Sequence, residues 1–456
     1  MSIQTDSMKR YTGIGALLRL TFPIILMTAL ESVYSLVDGI VVAHFDGAHA
    51  LAAIQIVFPL LLFLNSIGYL FAYGVQSLAH LKLKLGDRAK AEKLMSVGLI
   101  ATASVTLFVS LLVILFDHEV YYFLGAKDEE VLHECLHYGN IVVLGSVFTT
   151  VFIYLKSMFA EAHSFGLGVV VTIISGLCNM LLDILLTGIL HIGIRGAAIA
   201  TVGSFAIGVA ILLFYHFLKC NTAKLDFGKP VCTLRDLRHF IRFGTSHMMQ
   251  FMGAAVVAFV FNRQAGIHLG VVGIASVMVV MHIHMLFTAV VQGFIEGLEP
   301  EMHHRHAAHD NDYLRSIIFR SIVYISAFSL LLFLVSQLLC HTIVHLFALE
   351  DPVFEFAAEN GYRLYAFGVL FYGVNLFVNG FLHSTELKIS SAISSCCLPI
   401  LKIVLFFLLP ILWQGDGVWM AVPMAELIVL AVSILLLILG YNHESLQKKM
   451  RIGKIV

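Results

Sequence analysis

The sequence is short of charge. Lys, Arg, Asp and Glu make up 12% of its 456 residues, about half the ~25% usual for soluble domains. Surfaces need solvated groups more than cores do, so a water-soluble fold of this length could not clothe itself with so few. Net charge is −1, which excludes the broad basic field that a nucleic-acid partner would call for. Proline is scarce, at 8, and leaves long apolar runs free to form unbroken helices. The seven cysteines (135, 178, 220, 232, 340, 396 and 397) are odd in number, scattered and without CxxC spacing. They are expected to be small buried hydrophobes, with no disulfide framework and no structural metal. Motif reading picks out no G-x-S-x-G elbow, H-E-x-x-H helix or Gly-Lys-Ser loop, so neither an enzyme nor a cofactor is expected. The N-terminal stretch lacks a small-residue site behind a short apolar core, and no cleaved signal is expected.

What is present is apolar. Hydrophobic residues reach 59%, including 35 Phe, and the solvent they imply is a lipid bilayer. A helix needs about 20 mostly apolar residues to cross it. Runs of that kind predict an all-α polytopic protein with twelve spans: 16–43, 51–80, 94–116, 134–158, 166–190, 196–219, 238–265, 272–301, 315–342, 356–384, 390–412 and 418–442. Lys and Arg collect on the cytoplasmic side of membrane proteins. With both termini placed inside, 23 of the 28 basic residues fall on that face. A miscounted helix would scramble this bias downstream.

The halves repeat at an offset near 222. Arg19 matches Arg242, Asp38 falls near Asn262, and Gly74 and Gln76 fall on Gly297 and Glu299. The segment 196–201 lies opposite 417–422. Six spans per half make the repeat parallel, with a pseudo-two-fold along the membrane normal. The organisation expected is an N-lobe (1–218), a basic cytoplasmic linker (219–240), a C-lobe (241–445) and a basic tail (446–456). Two such lobes usually enclose a pathway, which suggests a transporter.

An ionisable group at mid-helix costs about 2.5–3.5 kcal/mol on insertion scales, so each needs a reason. Asp38, Asn179, Asp183 and Thr201 share one depth in the outer half of the first lobe, with Tyr34 one turn below Asp38. Two carboxylates with amide and hydroxyl oxygens suit Na⁺, or they share a proton. The alternative is that each Asp caps a broken helix or meets a basic neighbour. In the second lobe Lys402 and Glu426 stand near mid-depth in adjacent helices and are expected to pair, with substrate contact as the alternative. Asn262 replaces the first aspartate, while Glu296 and Glu299 approach the cytoplasmic end of the eighth span. These five and Tyr34 are candidates for cavity or gating roles. The run from Glu301 to Asp310, with His303, His304, His306 and His309, reads as a solvated pH-responsive surface rather than a metal cluster.

Several segments resemble the multidrug and toxic compound extrusion (MATE) family of the multidrug/oligosaccharidyl-lipid/polysaccharide exporter superfamily. They are 23–27 and 34–38 followed by Leu51-Ala-Ala; 84–91; 179–183 followed by 193–201; and 415–426. The resemblance covers nearly the whole chain. It implies two six-helix lobes in a V around a central cavity, exporting amphipathic, often cationic compounds in exchange for Na⁺ or H⁺. It also implies that Asp38, Asn179, Asp183 and Thr201 form the coupling-cation site. After Pro300 the family usually carries a Gly-Tyr-Asn-rich stretch, where this chain has Glu-Met-His-His-Arg-His. The expected partners are a small-molecule substrate and the bilayer of the cell membrane, and the chain is expected to be a monomer. A flippase for a lipid-linked or anionic metabolite is the alternative, and a membrane-embedded enzyme or binding protein is a third.

Overall fold

The computed structural model describes residues 13–161, 165–219, 233–347, 351–385 and 387–452. Lys9, Arg10, Lys224, Lys229, Lys454, Cys220 and Cys232, with most of the expected linker, lie outside the described residues. Among those described, every regular element is helical: α1 (Ile14–Lys84), α2 (Arg88–Leu115), α3 (Asp117–Leu124), α4 (Glu129–Glu161), α5 (Phe165–Asp183), α6 (Ile194–Lys219), α7 (Leu234–Ala307), α8 (Asn311–Phe347), α9 (Pro352–Tyr365), α10 (Val369–Ser384) and α11 (Lys388–Ile452). A π-helical turn, Ile184–Ile189, follows α5, and a 3₁₀ turn, Ala366–Gly368, joins α9 to α10.

Among the described residues, nine stretches are long and apolar enough to cross a bilayer. Three of them, in α1, α7 and α11, are two helices joined across a break at Gly47, Gly270 and Gln414. Each break falls between two of the expected spans, so nine stretches with three breaks make twelve crossings. Gly47 (φ 84°) and Gly270 (φ 68°) hold left-handed backbone that a missing Cβ permits. A Cβ on Gly417 would meet the backbone of Leu409, eight residues earlier. Within one straight helix those residues would stand about 12 Å apart, so the chain folds back there. Phe319, Leu338 and Ile411 are among many large apolar side chains left exposed along the spans, as contact with lipid tails allows.

Two compact units divide the chain. One comprises Met1–Val33, Val280–Leu346 and Phe356–Val456, and the other comprises Tyr34–Val279 and Phe347–Glu355. They run across the two sequence halves because spans of different halves cross closely. In the second unit a Cβ on Gly74 would strike the backbone of Phe240, and one on Gly244 would strike the carbonyl of Leu70. In the first unit a Cβ on Gly297 would lie 2.8 Å from Thr21 Cβ, and one on Gly293 2.6 Å from Ile25 Cα. Gly74 and Gly297 are the repeat-related pair, so the same close crossing occurs once in each unit. Small residues let backbones approach where lipid supplies no hydrophobic drive between helices.

Gly244→Ala should destabilise the protein by about 1–3 kcal/mol, because a backbone carbonyl cannot yield to the added methyl. Gly253→Ala is the control. It lies on the same helix with nothing within 4 Å, and should gain up to about 1 kcal/mol from helix propensity. Thermal unfolding of the two variants in detergent checks the contrast.

Buried polar bonds lock the helices that carry the acidic residues. Tyr154 Oη donates to Met95 O at 2.6 Å, fixing α4 to α2. Ser175 Oγ donates to Ser204 O at 2.6 Å, fixing α5 to α6.

Candidate cation site

Asp183 is the last residue of α5 and is fully buried. The backbone turns π-helical immediately after it, with Leu190 N–H bonding Leu185 O and Ile192 N–H bonding Leu186 O. Single π turns inside helices occur frequently at functional sites. The wider turn brings Thr187 and the backbone of Leu186 against Gly196 of α6, where no Cβ would fit without displacing them. Lower down, Ser175 bonds Ser204 and packs on Gly208. This antiparallel ladder sets Thr201 between the levels of Asn179 and Asp183.

Asp38 of α1 faces Asp183 closely enough for hydrogen bonding and mutual repulsion. Two carboxylates are both acceptors, and they bond only if a proton or another cation joins them. No donor among the described residues is aligned on either Asp183 oxygen, and Asn179 Nδ2 and Thr187 Oγ1 are likewise buried without an aligned partner. Tyr34 lays its ring over Gly176, three residues before Asn179 on α5, and so seats the first span against the fifth. Buried Tyr138 of α4 lies within the field of both carboxylates. Tyr138 does not stand out in the sequence, because one tyrosine in an apolar run carries no signal of its own.

The second-lobe candidates occupy other places. Asn262 Nδ2 donates to Gln55 O at 2.6 Å and its Oδ1 accepts from Gln55 Nε2 at 2.9 Å. The side-chain amide and the backbone carbonyl of Gln55 engage both ends of the Asn262 amide, so Asn262 joins spans 2 and 7. Lys402 Nζ stands 2.9 Å from Glu426 Oε1, and Asn375 Nδ2 donates at 2.8 Å to both Glu426 O and Oε2. Lys402 also acts on His284, whose ring meets Tyr365 and Tyr372 edge-on at 5.0 and 5.5 Å. Glu296 accepts from Gln292 at 2.8 Å. Glu299 packs its carboxyl over Gly380, where a Cβ would lie 2.6 Å from Oε1. In the His-rich turn Arg305 ties Glu301 (2.7 Å) to Asp310 (3.2 Å) and lies 4.4 Å above the Tyr313 ring.

Contrary to the expectation that H-E-x-x-H is absent, the chain carries one. Residues 133–137 are His-Glu-Cys-Leu-His, an H-E-x-x-H sequence. Among the described residues the group placed to hold a metal ion is His133, Glu134 and His137, and not the 303–309 run.

Twelve apolar crossings, with a buried carboxylate pair inside one of the two units, are the build of a multi-pass membrane transporter. The MatE family model matches the chain twice, over residues 23–185 and 244–408. The chain therefore belongs to the MATE family of multidrug transporters. The second match starts 221 residues after the first and ends 223 after it, the offset at which the sequence repeats. The Multidrug export protein MepA of Staphylococcus haemolyticus is 22% identical over 415 residues, covering 90% of each chain. An inward-facing MATE family transporter of the MOP superfamily superposes with a TM-score of 0.82 at 16% identity, over 94% of this chain and 99% of that one. An outward-facing one gives 0.74 at 17%, over 95% and 96%.

Proposed function

We propose that this chain is a secondary antiporter that exports amphipathic, cationic organic compounds in exchange for Na⁺ or H⁺ by alternating access. The observation that carries the reading is the Asp38–Asp183 pair, with both Asp183 oxygens buried and no donor among the described residues aligned on them. In a low-dielectric site such a pair holds one cation in common. Na⁺ would take carboxylate oxygens together with the Asn179 and Thr201 oxygens, and a proton would bridge the carboxylates. Either event changes the local charge by one and biases a two-state arrangement of the helices. The π turn after Asp183 gives the fifth span a place to change register. Tyr138 is placed to sense the charge of the pair.

In this reading the N-lobe (1–218) carries the coupling site, the C-lobe (241–445) is its structural counterpart, and both termini lie on the cytoplasmic side of the cell membrane. The monomer is the working unit. Lys402 is engaged by Glu426, so it offers little attraction to anionic cargo, and the flippase alternative is set aside.

The test is flux of a fluorescent organic cation out of proteoliposomes under an imposed Na⁺ or pH gradient. Export driven by one of the two gradients is expected. Equal rates with and without a gradient would remove the antiport reading.

A further inference from the structure

The first two turns of α4 carry His133, Glu134 and His137. The two imidazoles are four residues apart on one helix face, with ring centroids 3.9 Å apart. One ligand atom from each of the three residues lies within 4.8 Å of the others. Buried Cys135, between them, contacts the carbonyl of Ala53 and anchors this turn to the second span.

A second element reaches the same place. The turn that breaks α1 at Gly47 carries Asp46 and His49. His49 Nδ1 lies 3.5 Å from Glu130 Oε2, and Asp46 is repelled by Glu134. Asp46 Oδ2 is buried with no aligned donor. Asp46, His49, Glu129, Glu130, His133 and Glu134 line one open hollow of about 350 Å³. Four carboxylates and the His49 and His133 imidazoles thus share the hollow, with His137 beside His133 on α4, and Arg195 is the basic group acting on His137. Crowded carboxylates with an unsatisfied oxygen favour a cation, and the ligand types choose which. Imidazole nitrogen with one or two carboxylate oxygens suits Zn²⁺, with bonds of about 2.0–2.2 Å, whereas Ca²⁺ and Mg²⁺ prefer all-oxygen shells.

We propose that His133, His137 and Glu134 bind a divalent transition-metal ion, with Zn²⁺ the best fit, and that Asp46 completes or supports the site from the neighbouring turn. The ion clamps the start of α4 to the turn between the first two spans. Asp38 lies two helical turns before Asp46, and Tyr138 directly follows His137. The clamp therefore joins the two elements that carry Asp38 and Tyr138, and slows their relative movement. Metal binding stands independently of the transport reading, while the slowing of flux rests on it.

The test uses the purified full chain in detergent, stripped by a chelator and titrated with Zn²⁺. Elemental analysis after desalting should find one Zn²⁺ per chain, accompanied by a rise in the thermal unfolding midpoint. Co²⁺ in its place should give the intense visible bands of a tetrahedral site. His133→Gln with His137→Gln should abolish both signals, and Asp38→Asn should leave them unchanged. Asp46→Asn should weaken binding roughly 10–100-fold, the range for losing a carboxylate that supports a metal ligand. Sub-stoichiometric Zn²⁺, or full binding retained in the double variant, would overturn the site. Should the double variant fail to fold, a Co²⁺ spectrum of octahedral form in the wild-type chain would overturn it equally. Zn²⁺ bound at these residues with gradient-driven flux unaltered would overturn the clamp alone. Flux that ignores both gradients without metal would instead count against antiport.

Discussion

Asp183→Asn should lower gradient-driven export by about 100-fold or more, the factor that about 2.7 kcal/mol of lost binding represents, while leaving the folded protein at least as heat-stable as wild type. The two halves of this expectation separate function from structure. Asp183 is fully buried, faces another carboxylate, and has no donor among the described residues aligned on either oxygen. Burying two carboxylates against each other is costly even when they share a cation, so the pair weakens the fold rather than holding it together. The neutral isostere removes the repulsion from Asp38 and keeps the volume. A residue holding the helices together would behave in the opposite manner, and its loss would lower the unfolding midpoint along with transport. Flux in proteoliposomes and thermal unfolding of the same preparation make the comparison.

The Lys402–Glu426 pair should respond in reverse. Lys402→Met leaves Glu426, 2% exposed, without its counter-ion. Breaking a buried pair from one side typically costs about 3–5 kcal/mol, which should appear as a large fall in the unfolding midpoint. Adding Glu426→Gln to Lys402→Met should recover most of that loss, because a neutral amide can still accept from Asn375. Buried ion pairs replaced at both ends are often neutral or better. A double variant as unstable as the single one would show that Lys402 acts through packing rather than charge.

The two sites differ in how far the sequence reveals them. Charge in lipid is expensive, so Asp38, Asp183, Lys402 and Glu426 stand out from the apolar runs around them. The runs themselves mark the crossings, and the three breaks at Gly47, Gly270 and Gln414 fall in the short gaps between them. Tyr138 does not stand out, because its importance comes from facing two carboxylates on other helices. Asn262 looks like a weakened aspartate when the repeat is aligned, and only the folded chain brings Gln55 against it. The repeat pairs Gly74 with Gly297, yet their role as crossing points depends on spans meeting from different halves. At 133–137 the signal is legible in five consecutive residues, although the histidines of 303–309 are denser. The contribution of Asp46 to that site is tertiary, and no local pattern carries it.

The central claim is that Asp38 and Asp183 hold one coupling cation in common and release it as cargo binds. Cation release from the purified protein tests this most directly, with proton release followed by a pH indicator in weak buffer and Na⁺ release followed by isotope displacement. On saturation with an organic cation that the protein exports, the wild-type chain should release one H⁺ or one Na⁺, and Asp183→Asn should release none. Release of the same cation in equal amount from both proteins would contradict the claim.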